Sequence, residues 1–314
     1  CNEVLAIIPV KMLIPTFYVF TLIFTLANAL LGFSNPFKAD GFLGFLNPVN
    51  KGKTEWNSVS VKYSIIGGFY KIPMTTDKIK GEYVYLKNHE EFKDVKLYCY
   101  PTDPSVCIMY DKYGRICGMR VAYMKEDIAT RAKGNLSYKY DKIPIFKEGS
   151  AFGIPFYYID VIFINPDLLM KGGPASRTEA VGDGAYLQLD GQTWVEMPRE
   201  ESKATALGFT KQACFPGMGL HYFPNMTKDL DCHNFIPVFL LYNHGKLIGM
   251  GLIPFGSFKS KGNREWFEDP PKFIINTIVP HAPTCLADWV GKYGTISFHI
   301  YFTKANAITP SCIL

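Results

Sequence analysis

The sequence has few of the signatures that mark metal and nucleotide chemistry. It contains no C-x-x-C, no H-E-x-x-H and no H-x-H, so neither a thiolate zinc site nor a zincin helix has a starting point. There is no G-x-S-x-G elbow, which removes the α/β-hydrolase nucleophile. There is also no G-x-G-x-x-G or Walker run; Gly217-Met218-Gly219 reads as a turn. No basic run accompanies the formal net charge of +5, so nucleic acid is excluded as a partner. Low-complexity repeats are missing too, which counts against a matrix or mucus component. Histidine is scarce in the first half, where only His89 occurs. Beyond residue 29 no apolar run is long enough to span a bilayer.

What is present points outward from the cell. Residues 13–26, LIPTFYVFTLIFTL, form a short apolar run behind Lys11 and Met12, closed by Ala27-Asn28-Ala29. That order is the grammar of a signal peptide cleaved after Ala29; the run is shorter than the roughly 20 residues of a spanning helix. Residues 1–29 are therefore read as upstream residues plus a signal peptide, and the product as secreted and extracellular. In an oxidising compartment Cys99, Cys107, Cys117, Cys214, Cys232, Cys285 and Cys312 are mostly paired, and their odd number leaves one over. Cys214 with Cys232 and Cys285 with Cys312 each bracket a loop containing Pro and Gly, which makes them the expected pairs. Asn135-Leu136-Ser137 and Asn225-Met226-Thr227 are glycosylation acceptors, both in turn-rich stretches.

With 24 Phe, 19 Tyr, 27 Gly and 21 Pro, the composition favours strands and turns. Residues 235–255, FIPVFLLYNHGKLIGMGLIPF, read as two apolar strands joined at Asn243-His244-Gly245, where Asn and Gly tolerate positive φ. A near copy lies at residues 107–123, CIMYDKYGRICGMRVAY, with the same Gly114-to-Gly118 and Gly245-to-Gly249 spacing. Further echoes keep the same order: Phe69-Tyr70-Lys71-Ile72-Pro73 with Trp194-Val195-Glu196-Met197-Pro198, Tyr98-Cys99-Tyr100-Pro101 with His221-Tyr222-Phe223-Pro224, and residues 157–165 with 295–303. The expected fold is mainly β (β-rich α+β): two related antiparallel β lobes from an internal duplication, stabilised by disulfides. Residues 30–58 form an irregular lead-in, 59–173 the first lobe and 174–314 the second, with the boundary near Gly172-Gly173-Pro174. Short helices are expected within residues 75–91 and over residues 202–212, and a strand or helical turn at residues 273–279.

The candidate chemistry lies in the second half. Alternation on the last strand puts Ile296, Phe298, Ile300 and Phe302 on one face and Ser297, His299 and Tyr301 on the other. His221, His299, Tyr301 and Asp231 are the candidate catalytic residues. His221, His233 and His299 are the set that would hold copper or zinc, since imidazoles serve either ion; no other cofactor is expected. Asp160, Asp167 and Glu196 are the carboxylates available for glycoside-type chemistry.

Residues 217–251, GMGLHYFPNMTKDLDCHNFIPVFLLYNHGKLIGMG, resemble a family of secreted invertebrate proteins that share the His-Tyr, Asp-Cys and Phe-x-Pro-x-Phe-Leu-Leu-Tyr-Asn-x-Gly-Lys-Leu run, a final strand like His299-Ile300-Tyr301-Phe302, and a late cysteine such as Cys312. The resemblance implies secretion, structural roles for Cys214, Cys232, Cys285 and Cys312, and an invertebrate source; it transfers no catalytic residue. The function expected is binding of a small apolar or aromatic ligand in a cleft between the lobes. The alternative is a secreted oxygen-dependent oxidoreductase, a luciferase-type oxygenase or a metal-dependent oxidase.

Overall fold

Alternating apolar residues and left-handed turn positions build a chain of short antiparallel hairpins. The computed structural model describes residues 55–64, 68–257, 260–262, 264–304, 308 and 312. The signal segment, its cleavage site and most of the lead-in lie outside the described residues. The strands are β1 (Ser60–Lys62), β2 (Phe69–Lys71), β3 (Val84–Asn88), β4 (Lys96–Tyr100), β5 (Asp103–Tyr110), β6 (Ile116–Met124), β7 (Lys147–Ala151) and β8 (Ile154–Ile162). They continue with β9 (Tyr186–Leu187), β10 (Val195–Glu196), β11 (Phe209–Phe215), β12 (Gly219–Pro224), β13 (Val238–Asn243), β14 (Lys246–Leu252) and β15 (Phe298–Tyr301). Among the described residues three helices join them: α1 (Pro166–Leu169), α2 (Lys272–Ile278) and α3 (Thr284–Tyr293).

These strands form two antiparallel sheets. An eight-stranded sheet runs β10-β9-β8-β6-β5-β4-β3, with β7 also paired to β8, and a seven-stranded sheet runs β11-β12-β13-β14-β15-β1-β2. Each sheet thus ends in a hairpin from the other part of the chain: β1 pairs with β15, and β9 with β8. Neither sheet is built from one side of residue 173 alone. The inner faces share one hydrophobic core, to which Val121, Val161 and Phe163 contribute from the first sheet and Leu240, Met250 and Ile300 from the second. Phe163 meets Phe302 across the gap at 5.5 Å. The alternation expected of the last strand holds: Phe298, Ile300 and Phe302 enter this core.

The repeated hairpins occupy matching places. A Cβ on Gly118 would meet the Val161 carbonyl oxygen at 2.7 Å, and one on Gly249 would run into that of Ile300, so both strands need glycine where their neighbour passes close. Tyr110 donates from its hydroxyl to the Pro73 carbonyl at 2.8 Å, and Tyr242 to that of Pro198 at 2.7 Å. The β13–β14 turn places His244 (φ +48°) and Gly245 (φ +76°) between the paired Asn243 and Lys246, the left-handed geometry that suits a two-residue hairpin.

Three expectations need correction. Residues 202–212 are not a helix: two 3₁₀ turns end at Gly208 (φ +76°), and Phe209 starts β11, whose aromatic and β-branched residues pair with β12. Residues 75–91 hold only the 3₁₀ turn Thr76–Lys78 and then β3. The second-half disulfides are Cys214–Cys312 and Cys232–Cys285, joined in the first sheet by Cys99–Cys107, with Cys117 free and buried. Cys214 sits opposite Leu220 near the start of β12, whereas Cys232 follows the far end of that strand. A strand of this length spans about 20 Å, beyond the reach of one disulfide. The 3₁₀ turn Cys232–Asn234 instead lies against the first turn of α3, where Cys285 also reaches the Leu230 carbonyl. α3 itself carries its buried residues at Leu286, Ala287, Val290 and Tyr293, a helical spacing.

Candidate functional site

The outer face of the second sheet carries polar groups where a covered face is normally apolar. His221 on β12 and His299 and Tyr301 on β15 share this face with Lys62 on β1, which pairs directly with His299. On β14 the face is made by Gly249 and Gly251, and a Cβ on Gly251 would run into the Phe239 ring. The absent side chain lets that ring lie against both imidazoles, 5.4 Å from His221 and 4.9 Å from His299 between centroids. Tyr301 stacks on His299 at 6.4 Å and donates to the Met218 carbonyl at 3.2 Å.

A segment ahead of α2 completes the cluster. Glu268 is clamped to Ser297 by two backbone hydrogen bonds of 2.8 Å, which aim its carboxylate at the sheet. Lys62 Nζ donates to Glu268 Oε1 at 3.1 Å and also to the Ser64 carbonyl. His299 Nδ1 lies 3.3 Å from Ser297 Oγ and 3.6 Å from Glu268 Oε2. Lys62, Glu268, Ser297, His299 and His221 are each at most 4% exposed. Burial depresses both histidines: His221 falls to about 4 against the pull of the Ala213 and Gly219 carbonyls, and His299 is held well below its ordinary value with Lys62 and His221 adding to the effect. Burial likewise moves both members of the Lys62–Glu268 pair toward neutrality, lowering the lysine and raising the carboxyl, while their mutual attraction opposes it.

Above the cluster lies α2, whose Ile274, Ile275 and Ile278 close a cavity of about 20 Å³ with His221, His299 and Glu268. Among the described residues no hydrogen bond joins α2 to the sheet beneath it; its polar tie is the exposed Lys272–Asp288 pair to α3. A larger open cleft of about 580 Å³ lies where residues 55–57 meet residues 176–183. Its walls are mixed, with Ile164, Leu168 and Pro174 beside charged groups, and Glu179 there is engaged by Arg199 at 2.6 Å and by the Trp56 amide at 3.0 Å.

The structure brings together His221, His299 and Tyr301 and leaves Asp231 and His233 elsewhere. Those two pair with each other at 2.7 Å on an exposed turn, with His233 edge-on to Trp289. The set His221, His233 and His299 therefore does not converge, and among the described residues no three His, Cys, Asp or Glu side chains form a metal-ligand group. Asp160 is taken up by Arg120 at 2.7 Å and His89 at 3.1 Å, while Asp167 and Glu196 are exposed. Sequence reasoning missed Lys62 and Glu268. Lys62 falls with Ser60 and Ser64 on the polar phase of the alternation in residues 59–65, where a lysine reads as solvent-facing, and Glu268 lies in a loop with no period to betray it. Compared with models of known protein families, with curated proteins and with solved structures, the chain matches none.

Proposed function

We propose that this is a secreted protein that binds a small apolar or aromatic compound between α2 and the outer face of the second sheet. The carrying observation is the convergence of His221, His299, Glu268 and Ser297 on a cavity otherwise walled by aliphatic and aromatic side chains. The site lies there rather than between the lobes because the space between the sheets is filled by the shared core. At about 20 Å³ the closed cavity holds no ring. Binding of a benzene-sized group takes roughly 150 Å³, so α2 lifts to admit the ligand. The helix itself makes no hydrogen bond to the sheet among the described residues, while Glu268 before it and His281 after it are anchored to Ser297 and Gln212, so the motion is a bowing of the helix between two fixed ends. Secretion and the duplicated ancestry of the chain belong to the same reading. They are supported by three disulfides, by the exposed sequon residues Asn135 and Asn225, and by the matched hairpins.

Naphthalene fluorescence, titrated against the oxidised protein, tests the site. Saturable binding is expected, with loss of affinity in Ile275→Trp and in the half-buried rim variant Ile278→Trp; equal binding by both variants would place the ligand elsewhere. A second reading, oxygen-dependent oxidation of the bound compound, is favoured by the Glu268 carboxylate behind His299. In that reaction His299 takes a proton from a C–H of the substrate, the carbanion bonds to one atom of molecular oxygen, and the proton returns from His299 to the outer oxygen to give a hydroperoxide, dioxygen being the oxidant. Oxygen uptake or light emission that disappears in His299→Gln is its expected sign.

A further inference from the structure

We infer that the pocket selects aromatic compounds bearing an uncharged O–H or N–H donor, phenols and heteroaromatic N–H compounds, and that His299 Nε2 is the group that accepts it. This rests on the ligand site proposed above. Of the two nitrogens of His299, Nδ1 faces Ser297 Oγ and the carboxylate oxygen of Glu268. A lone pair placed there would face a carboxylate, so the proton belongs on Nδ1 and the lone pair on Nε2. No described residue hydrogen-bonds to that Nε2. His221 repeats the arrangement: its Nδ1 faces the Ala213 carbonyl at 3.3 Å, an oxygen that only accepts, which puts the proton on Nδ1 and the lone pair on Nε2. Both rings are buried and neutral, so the pocket offers acceptors set in apolar walls.

The nearby cation does not change this. Lys62 is held by Glu268 and by the Ser64 carbonyl, and from α2 only aliphatic side chains face the pocket. An anionic ligand would meet two imidazole lone pairs with only the Ser297 hydroxyl to answer it, whereas a neutral donor completes a bond that the apo site lacks. A donor of this kind is expected to bind roughly tenfold tighter than its donor-free analogue, the share of one neutral hydrogen bond.

The test compares 2-naphthol, naphthalene and 2-naphthoate by fluorescence titration of the full oxidised chain. Wild type is expected to prefer naphthol over naphthalene by about tenfold and to bind naphthoate least. His299→Phe is expected to abolish the naphthol preference, read as the ratio of naphthol to naphthalene affinity in the same variant. Nitrogen NMR of the wild-type histidines needs no variant: His299 Nε2 should resonate as an unprotonated nitrogen and move with naphthol but not with naphthalene. Equal affinities for naphthol and naphthalene, a preference that survives His299→Phe, or a protonated Nε2 would overturn the donor assignment while leaving the ligand site intact. Failure of every compound to bind would overturn the site, and this inference with it.

Discussion

Lowering the pH from 7 to 5 is expected to cost the fold about 2 kcal/mol through His221 alone. In the unfolded chain this imidazole has its ordinary value of 6.5, and in the folded one burial holds it at about 4. The unfolded state therefore binds the proton first as the pH falls. Stability is complete above about 6.5, is lost progressively down to about 4, and levels off below, for a total near 3 kcal/mol. His299, depressed by its own burial and by Lys62, acts with the same sign. Glu268 acts against it, because its raised carboxyl binds a proton in the folded state before the unfolded one does. The paired carboxylates Asp160 and Glu90, held low by Arg120 despite burial, titrate below this window. Urea unfolding at pH 7 and pH 5 should thus show a larger loss in wild type than in His221→Leu, by about 2 kcal/mol. Parallel pH dependence in the two proteins would refute the claim that His221 is buried and neutral.

Three further outcomes follow from the packing. Removing the Cys232–Cys285 pair, which closes a loop of 53 residues, is expected to destabilise the fold by about 4 kcal/mol in denaturant, and non-reducing peptide mapping should recover Cys214 linked to Cys312. Asp160→Ala takes from the Arg120 guanidinium, which is 1% exposed, its buried partner and leaves it Glu90 alone, and should cost up to about 3 kcal/mol, while replacing both residues by apolar ones should cost less; urea midpoints decide. Gly118→Ala and Gly249→Ala each push a methyl against a neighbouring carbonyl and should each lower stability by about 1–3 kcal/mol, read from thermal midpoints.

Much of the architecture was legible because strand periodicity and turn chemistry are local. The residues 235–255 hairpin, its near copy and the two faces of the last strand could all be read from short windows. Disulfide partners could not, since they depend on which strand ends meet. Nor could the exchange of the β1–β2 and β9–β10 hairpins between sheets, because two-residue pairings such as Leu187 with Val195 leave almost no pattern. Half of the site was visible as the polar alternation of Ser297, His299 and Tyr301. The other half was hidden, as Glu268 arrives from a loop and α2 covers the face with aliphatic residues that read equally well as strand.

The matched hairpins also indicate why the chemistry gathers on one sheet. Two residues beyond Gly118 stands Arg120, paired across the ladder with Cys107 and Asp160; two beyond Gly249 stands Gly251, paired with Phe239 and His299. On the first sheet the guanidinium fills that position. It binds Asp160 and Glu90, lies 3.8 Å from the Tyr158 ring centroid, and has the Cys99–Cys107 disulfide beside it. The charges there satisfy one another. On the second sheet the glycine leaves the same position open, and the Phe239 ring leans into it. His299, in the place of Asp160, is then left with partners at one edge of its ring and a cavity beside it. One arginine therefore closes one face, and on the other a glycine admits the Phe239 ring beside a small cavity.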